Sequence, residues 1–271
     1  MLFRSYFDDS SDTDDLIFGV GGFVGQDGAW EQLEPKWLAS LPWGIEYFHA
    51  TDCFSGNGQF EPSKGFDIPA RVALIDRLTD LVCEASIKLL GHAIDVPYFV
   101  QLSPKKIENN FLGNRYVACF DANVQSVCRD YMSPSPTENP FPSETGDVCA
   151  FFYEESIYAN SVARHVSLLR DDKELCYRSR IGSPTPGTKT GESAIPLLQV
   201  ADLGAFLGTK HAANARDTKI PWRPYWEKLQ KAGRIWGFPL LTKQKLSFLY
   251  AIFGIERDPE ILDEIWPESN T

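Results

Sequence analysis

The first part of the chain alternates apolar and polar residues as β-strands do. Over residues 2–8, this period of two places Phe3 and Phe7 on one face and Tyr6 and Asp8 on the other, which predicts a strand entering a core. Two further strands are predicted after it, a glycine-rich one that pairs with the first as a hairpin and a third one, over 15–25 and 45–50.

Farther along, the apolar residues take helical spacing. Residues 67–86 carry Val72, Ile75, Leu78 and Val82 at intervals of three and four, which predicts an amphipathic helix. The remaining predicted elements are strands over 87–96 and 148–155 and helices over 107–131, 157–172 and 195–213. Two stretches rich in proline, serine and threonine are predicted loops, 132–147 and 179–194.

This order of elements predicts an α/β fold. A three-strand antiparallel start followed by alternating helices and strands gives a mixed β-sheet flanked by helices. We assign residues 1–213 to this domain. Residues 214–271 contain four of the seven tryptophans and are predicted to form an aromatic-rich C-terminal extension packed on the core.

Composition restricts the classes of function. The chain has 271 residues and a formal net charge of −11, so its overall field does not attract nucleic acid, and such a contact needs a local basic patch or bound cations. The six cysteines are scattered and form no C-x-x-C pair, as expected of reduced thiols. No basic-then-apolar leader and no membrane-length apolar run are found. We therefore expect a cytoplasmic protein without a membrane partner.

Carboxylates are concentrated where predicted strands end. Asp8 is the last residue of the first predicted strand. The hairpin turn that follows carries Asp9, Asp12, Asp14 and Asp15, and we call these five residues the hairpin acids. Glu154 and Glu155 end the apolar strand "VCAFFYEE", where alternation sends them to opposite faces. Asp202 lies within a strongly apolar helix, where an ionised carboxylate is costly unless a basic side chain or a metal ion compensates it.

Acids at two strand ends and on a late helix are the ligands that Mg²⁺ or Mn²⁺ prefers. Two such ions about 4 Å apart activate water and stabilise a leaving oxygen in phosphodiester cleavage. The stretch "EYFHATDCF" adds His49 and Asp52. A hydrogen-bonded structural role is the alternative for His49, and together with Cys53 it does not make a zinc site.

Four segments together resemble the domain-of-unknown-function family 3800, which is similar to ribonuclease H in predicted fold. They are "YFDDSSD" (6–12), "FHATDCFSGNGQF" (48–60), "FFYEES" (151–156) and "PLLQVADLGAF" (196–206). The sequence departs from the family pattern at Asp9, where glutamate is usual, and at Ser11, where glycine is usual.

The resemblance implies a ribonuclease H-like mixed sheet and a metal site built from Asp8, Glu154 and Asp202, with His49 and Asp52 nearby. Asp8 is then expected to point inward to the metal, and most of the other hairpin acids to point to water. The expected function is a divalent-metal-dependent nuclease or phosphodiesterase acting on nucleic acid or a nucleotide.

Within that function, His49 or Asp52 would orient water or shuttle a proton. Lys189, in the loop before the acidic helix, and Lys210, two turns after Asp202, would contact a phosphate unless they are solvated surface charges.

Two alternatives remain open at this point. One is a non-catalytic module on the same scaffold, which binds a protein partner or a second copy through Trp222, Trp226 and Trp236. The other is a hydrolase of small nucleotides. Convergence of Asp8, Glu154 and Asp202 on an open cleft favours catalysis, whereas an arginine or lysine filling the space between them favours the non-catalytic module.

Overall fold

A computed structural model describes residues 2–12, 14–102, 115–132, 146–173, 175–191, 194–213 and 221–241. In this part of the chain, six strands form one sheet: β1 (Leu2–Ser11), β2 (Ile17–Gln26), β3 (Ile87–Asp95), β4 (Val148–Glu154), β5 (Ile181–Gly187) and β6 (Ile235–Gly237). The helices are α1 (Asp27–Ser40), α2 (Ala50–Ser55), α3 (Ile68–Glu84), α4 (Val96–Leu102), α5 (Arg115–Gln125), α6 (Ala159–Asp171), α7 (Leu198–Ala213) and α8 (Arg223–Lys231).

The sheet is mixed, with strand order β5-β4-β1-β2-β3-β6. β1, β2 and β3 are antiparallel neighbours, while β4 is parallel to β1, β5 to β4, and β6 to β3. The carboxyl ends of β1, β4 and β5 therefore meet at one edge of the sheet. Residues placed there by three distant parts of the chain become neighbours.

Helices cover both faces of the sheet, which confirms the predicted α/β class. One face packs Phe3 and Phe7 against α4, α5 and α6, and the other packs Tyr6 against α1, α3, α7 and α8. The predicted alternation along β1 is thus correct. Each face buries its own apolar core, as expected for a sheet enclosed between two helical layers.

The glycines of β2 allow α7 to lie close to the sheet. A Cβ atom at Gly22 would come within 3.1 Å of the Ala201 Cβ, and one at Gly204 within 2.7 Å of the Phe23 ring. Larger side chains at these positions would hold the helix away from β1 and β2. The short distance is what brings Asp202, in the middle of α7, to the level of the strands.

Two predicted elements are wrong. Residues 45–49 form no strand but a loop that leads into α2. Helix α1 was not predicted, although its buried residues Trp30, Leu33 and Trp37 have helical spacing. The predicted loop 179–194 contains β5. Its two prolines are tolerated because, within the described residues, β5 is an edge strand that pairs with β4 on one side.

Smaller differences concern helices. Helix α3 buries Leu74 and Thr79 beside the predicted Ile75, Leu78 and Val82, whereas Val72 is 49% exposed. The helix predicted over 107–131 appears as α5 followed by a π-helical turn, Ser126–Tyr131. Residues 107–114 lie outside the described residues.

The described residues 221–241 of the predicted extension contribute α8 and β6, and β6 extends the sheet beside β3. Trp222 and Trp226 are only 4% and 5% exposed and belong to the core on the α7 face. Residues 214–220 and 242–271 lie outside the described part of the chain, so the extension as a whole stays a prediction. Among the helices described, none combines the length and the apolar character needed to cross a membrane.

Candidate functional site

The three acids singled out from the sequence lie together at the carboxyl edge of the sheet. Parallel pairing of Phe7 with Tyr153 places the next residues, Asp8 on β1 and Glu154 on β4, side by side. Asp202 reaches them from α7, which packs across β1 and β2. Asp8 and Asp202 are 1% and 4% exposed, so both carboxylates are buried in the folded protein.

A lysine lies among these three acids. The Nζ of Lys189 is 2.7 Å from Asp8 Oδ2, 3.2 Å from Glu154 Oε2 and 3.6 Å from Asp202 Oδ1. Lys189 is 8% exposed, so it is not a solvated surface charge. It lies here because Gly187, two residues earlier on β5, pairs with Glu154. By the criterion stated above, this ammonium favours the non-catalytic alternative.

Asp9 is the fourth acid at this edge, and it is one of the hairpin acids that do not simply point to water. It is half-buried, and one ligand oxygen from each of Asp8, Asp9 and Glu154 falls within 4.8 Å of the other two. Its backbone N–H also donates to Asp8 Oδ1 at 2.8 Å. We refer to Asp8, Asp9, Glu154 and Asp202 as the acid cluster.

The other hairpin acids have local roles. Asp12 Oδ1 accepts hydrogen bonds from the N–H groups of Leu16 and Ile17 at 2.7 and 2.9 Å, which closes the turn between β1 and β2. Asp15 pairs with Arg115 at 2.9 Å, and its left-handed backbone (φ 52°) completes the turn. Asp14 is exposed, as expected. The five carboxylates are therefore divided between the cluster, the turn and the solvent.

Burial and mutual repulsion make ionisation of Asp8, Asp9 and Glu154 unfavourable. Burial, followed by the negative charge of Glu154, raises the pKa of Asp9 to about 6. Burial, followed by a hydrogen bond with the Asp8 carboxyl group and by its charge, raises the pKa of Glu154 to about 7. Burial also raises the pKa of Asp8. For Lys189, burial acts to lower the pKa, but the charges of Asp202, Asp8 and Glu154 outweigh it and raise the pKa.

Gln199, one turn before Asp202 on α7, fixes the surroundings of the cluster. Its Oε1 accepts from the Phe48 N–H at 2.9 Å and from Trp37 Nε1 at 3.2 Å, and its Nε2 donates to the Lys189 carbonyl at 3.4 Å. The same loop then brings the Ala50 N–H to Asp202 Oδ2 at 2.6 Å. One glutamine thus joins α1, the 41–49 loop and the Lys189 loop to the helix that carries Asp202.

His49 and Asp52 lie close in sequence to Ala50, which contacts Asp202, but their side chains contact each other. His49 Nδ1 is 2.9 Å from Asp52 Oδ2, and both side chains are about one-third exposed. Among the described contacts of this loop, the backbone N–H of Ala50 is what touches the cluster. Lys210 donates to the Ser11 carbonyl at 3.2 Å, at the far end of the β1–β2 hairpin.

The residues present fit a hard divalent cation. Asp8 Oδ2 is buried, and the Lys189 ammonium contacts it at 2.7 Å. The Asp8, Asp9 and Glu154 oxygens offer the all-oxygen ligand set that Mg²⁺ and Mn²⁺ prefer.

Sequence reasoning named Lys189 as a phosphate contact but did not predict its burial, and it did not predict the role of Gln199. No local pattern marks Gln199 as an acceptor, because the Phe48 N–H that it binds lies 151 residues away in the chain. For Lys189, no local signal marks burial. Comparisons of the chain with models of protein families, with curated proteins and with solved structures found no match.

Proposed function

We propose that this chain is a divalent-metal-dependent phosphodiester hydrolase that acts on nucleic acid or a nucleotide in the cytoplasm. The observation that carries the proposal is the excess of negative charge in the acid cluster. Four carboxylates lie together, and one ammonium, that of Lys189, lies among them. If all four are ionised, four negative charges and one positive charge leave a net charge of −3 in the cluster.

That excess is difficult to explain for a purely structural ion cluster. Buried charges stabilise a fold only when they are well paired, and an unpaired buried carboxylate is costly. A bound Mg²⁺ or Mn²⁺ would compensate it, because such an ion is the largest local charge in its site. The raised pKa values of Asp9 and Glu154, about 6 and 7, express the same lack of compensation without a metal.

The arrangement of the strands agrees with the resemblance. β1, β2 and β3 form the antiparallel start, and β4 and β5 add to β1 in parallel, as expected of a ribonuclease H-like sheet. The acids lie at the carboxyl ends of the central strands, where ligands bind in open α/β sheets. We therefore include the ribonuclease H-like fold in the proposal.

In this function, Asp8, Asp9 and Glu154 would hold the ion, and Asp202, fixed by the Ala50 N–H, would add a further oxygen. The bound ion would supply Lewis acidity and lower the pKa of water. Lys189 supplies a fixed positive charge for the phosphate, and the His49–Asp52 pair would accept or pass on a proton.

One observation favours a second candidate, a non-catalytic interaction module. Lys189 fills the space between Asp8, Glu154 and Asp202, as expected of a closed ion cluster. The tryptophans proposed as its anchors argue against it, because Trp222 and Trp226 are buried in the core and unavailable to a partner. The charge excess is the reason why we place the hydrolase first.

The test is to incubate the purified chain with DNA, RNA and nucleotides, with Mn²⁺ or with EDTA. We expect Mn²⁺-dependent cleavage of at least one substrate. The cleavage rate should fall by more than about 100-fold in Asp8→Asn and in Asp202→Asn, because each variant removes a charged carboxylate that would hold the metal ion. Asp76→Asn is the matched control, because Asp76 is an exposed carboxylate paired with Lys228 outside the cluster. Absence of cleavage, or equal cleavage by all variants, would rule out the hydrolase.

A further inference from the structure

Two cation positions adjoin each other in the acid cluster and share two carboxylates. The first is occupied by the Lys189 ammonium, which contacts Asp8, Glu154 and Asp202. The second is defined by Asp8, Asp9 and Glu154, whose ligand oxygens lie within 4.8 Å of one another. Asp8 and Glu154 belong to both positions and therefore bridge them.

The backbone that carries Lys189 is held in place from both sides. The preceding residue, Thr188, forms a bridge with Ala194, and its carbonyl accepts from the Ile195 N–H at 2.8 Å. The Lys189 carbonyl itself accepts from Gln199 Nε2 at 3.4 Å. With its side chain 7% exposed, Lys189 directs its ammonium into the cluster and away from solvent.

We propose that Lys189 takes the place of a second metal ion, so that this centre binds one divalent cation and not two. This inference rests on the proposed function and makes it more specific. The sequence alone suggested a pair of ions, because nothing in it indicated that a fixed cation already occupies one of the two positions. The ammonium supplies permanently the positive charge that a second ion supplies to the leaving oxygen in two-metal hydrolases.

Electrostatics decides against a second ion. A divalent ion placed where the ammonium lies would have to displace it from three carboxylates, and one placed a few ångströms away would be repelled by it. Removal of the ammonium should therefore open the first position and strengthen binding at the second. Even at the dielectric constant of water, a unit charge about 4 Å from a divalent ion changes its affinity by about tenfold or more.

The experiment counts bound Mn²⁺ by isothermal titration calorimetry and by electron paramagnetic resonance of free Mn²⁺. It uses the wild type, Lys189→Ala, Lys189→Arg and Lys228→Ala. The last is the matched control, because Lys228 also lies between two carboxylates, at 2.7 Å from Asp76 and 2.6 Å from Asp80, outside the cluster. Neither readout requires activity.

We expect one Mn²⁺ in the wild type, in Lys189→Arg and in Lys228→Ala. In Lys189→Ala we expect two Mn²⁺, and the tighter of the two should bind about tenfold or more tightly than the single Mn²⁺ of the wild type. Two ions in the wild type would overturn this inference and leave the hydrolase standing. One ion of unchanged affinity in Lys189→Ala would overturn it as well. No Mn²⁺ in the wild type would overturn the proposed function and this inference together.

Lys189→Ala leaves four carboxylates without a cation and is expected to be less stable without metal. If it does not fold alone, Lys189→Met, which keeps most of the length of the side chain and removes the charge, is titrated instead. Two ions in the wild type would overturn the inference even if neither variant folds.

Discussion

Gln199 is the residue whose replacement tests the architecture of the site most directly. Gln199→Leu keeps the approximate volume of the side chain and removes its polar atoms. The Phe48 N–H and Trp37 Nε1–H then lose their acceptor, at 2.9 and 3.2 Å in the native protein. Gln199 is 2% exposed, so water does not reach these donors without opening the structure.

The magnitude follows from these two donors. A buried donor left without a partner costs about 1–3 kcal/mol, so we expect Gln199→Leu to lower the free energy of unfolding by about 2–4 kcal/mol. The third contact, from Gln199 Nε2 to the Lys189 carbonyl, is long at 3.4 Å and adds little. For a chain of this size, the melting temperature would fall by about 6–12 °C.

The assay is urea unfolding followed by tryptophan fluorescence and circular dichroism. Gln59→Leu is the matched control, because Gln59 also accepts from and donates to backbone groups of the 41–49 loop, at Glu46 and Tyr47, but lies near the surface. Water replaces those bonds, so Gln59→Leu should cost less than about 1 kcal/mol. Equal losses in the two variants would refute the role of Gln199 as a buried acceptor for this loop.

Three other measurements test the site and the hairpin beside it. Mn²⁺ at about 100 times its dissociation constant should raise the melting temperature of the wild type by about 5–10 °C; an equal rise in Asp8→Asn would exclude Asp8 as a ligand. Burial raises the pKa of Glu154 to about 7 and that of Asp9 to about 6. The native protein therefore binds more protons than the unfolded chain between about pH 4 and 7. The free energy of unfolding of the metal-free protein should fall as the pH rises through this window. Mn²⁺ affinity should accordingly be about tenfold higher at pH 8 than at pH 5.5 by calorimetry, and a flat profile would contradict the compensation argument. Asp12→Ala removes the acceptor for the Leu16 and Ile17 N–H groups and should lower the free energy of unfolding in urea by about 1–2 kcal/mol. Asp12→Asn keeps an acceptor oxygen and should retain most of this stability. A loss in Asp12→Asn as large as that in Asp12→Ala would point to the charge of Asp12 and not to its hydrogen bonds in the turn.

Much of the fold could be predicted because the signal is local. The alternation along β1 determines which residues face each core, and helical spacing identified α3 and α7. Helix α1 was predictable by the same reasoning from Trp30, Leu33 and Trp37, but it was overlooked in a stretch interrupted by Pro35. The error at β5 has a different origin, because proline excludes a central strand but not an edge strand, and position within a sheet is not written in the local sequence.

The sequence by itself determined which carboxylates stand at strand ends and which one stands on an apolar helix. Side-chain periodicity and chain order are local properties, and they fix the face and the end of an element on which Asp8, Glu154 and Asp202 lie. Only the tertiary structure decided what lies between these acids. The burial of Lys189 and the inclusion of Asp9 depend on the pairing of β5 with β4 and of β4 with β1, and the second of these pairings joins distant parts of the chain, such as Phe7 and Tyr153.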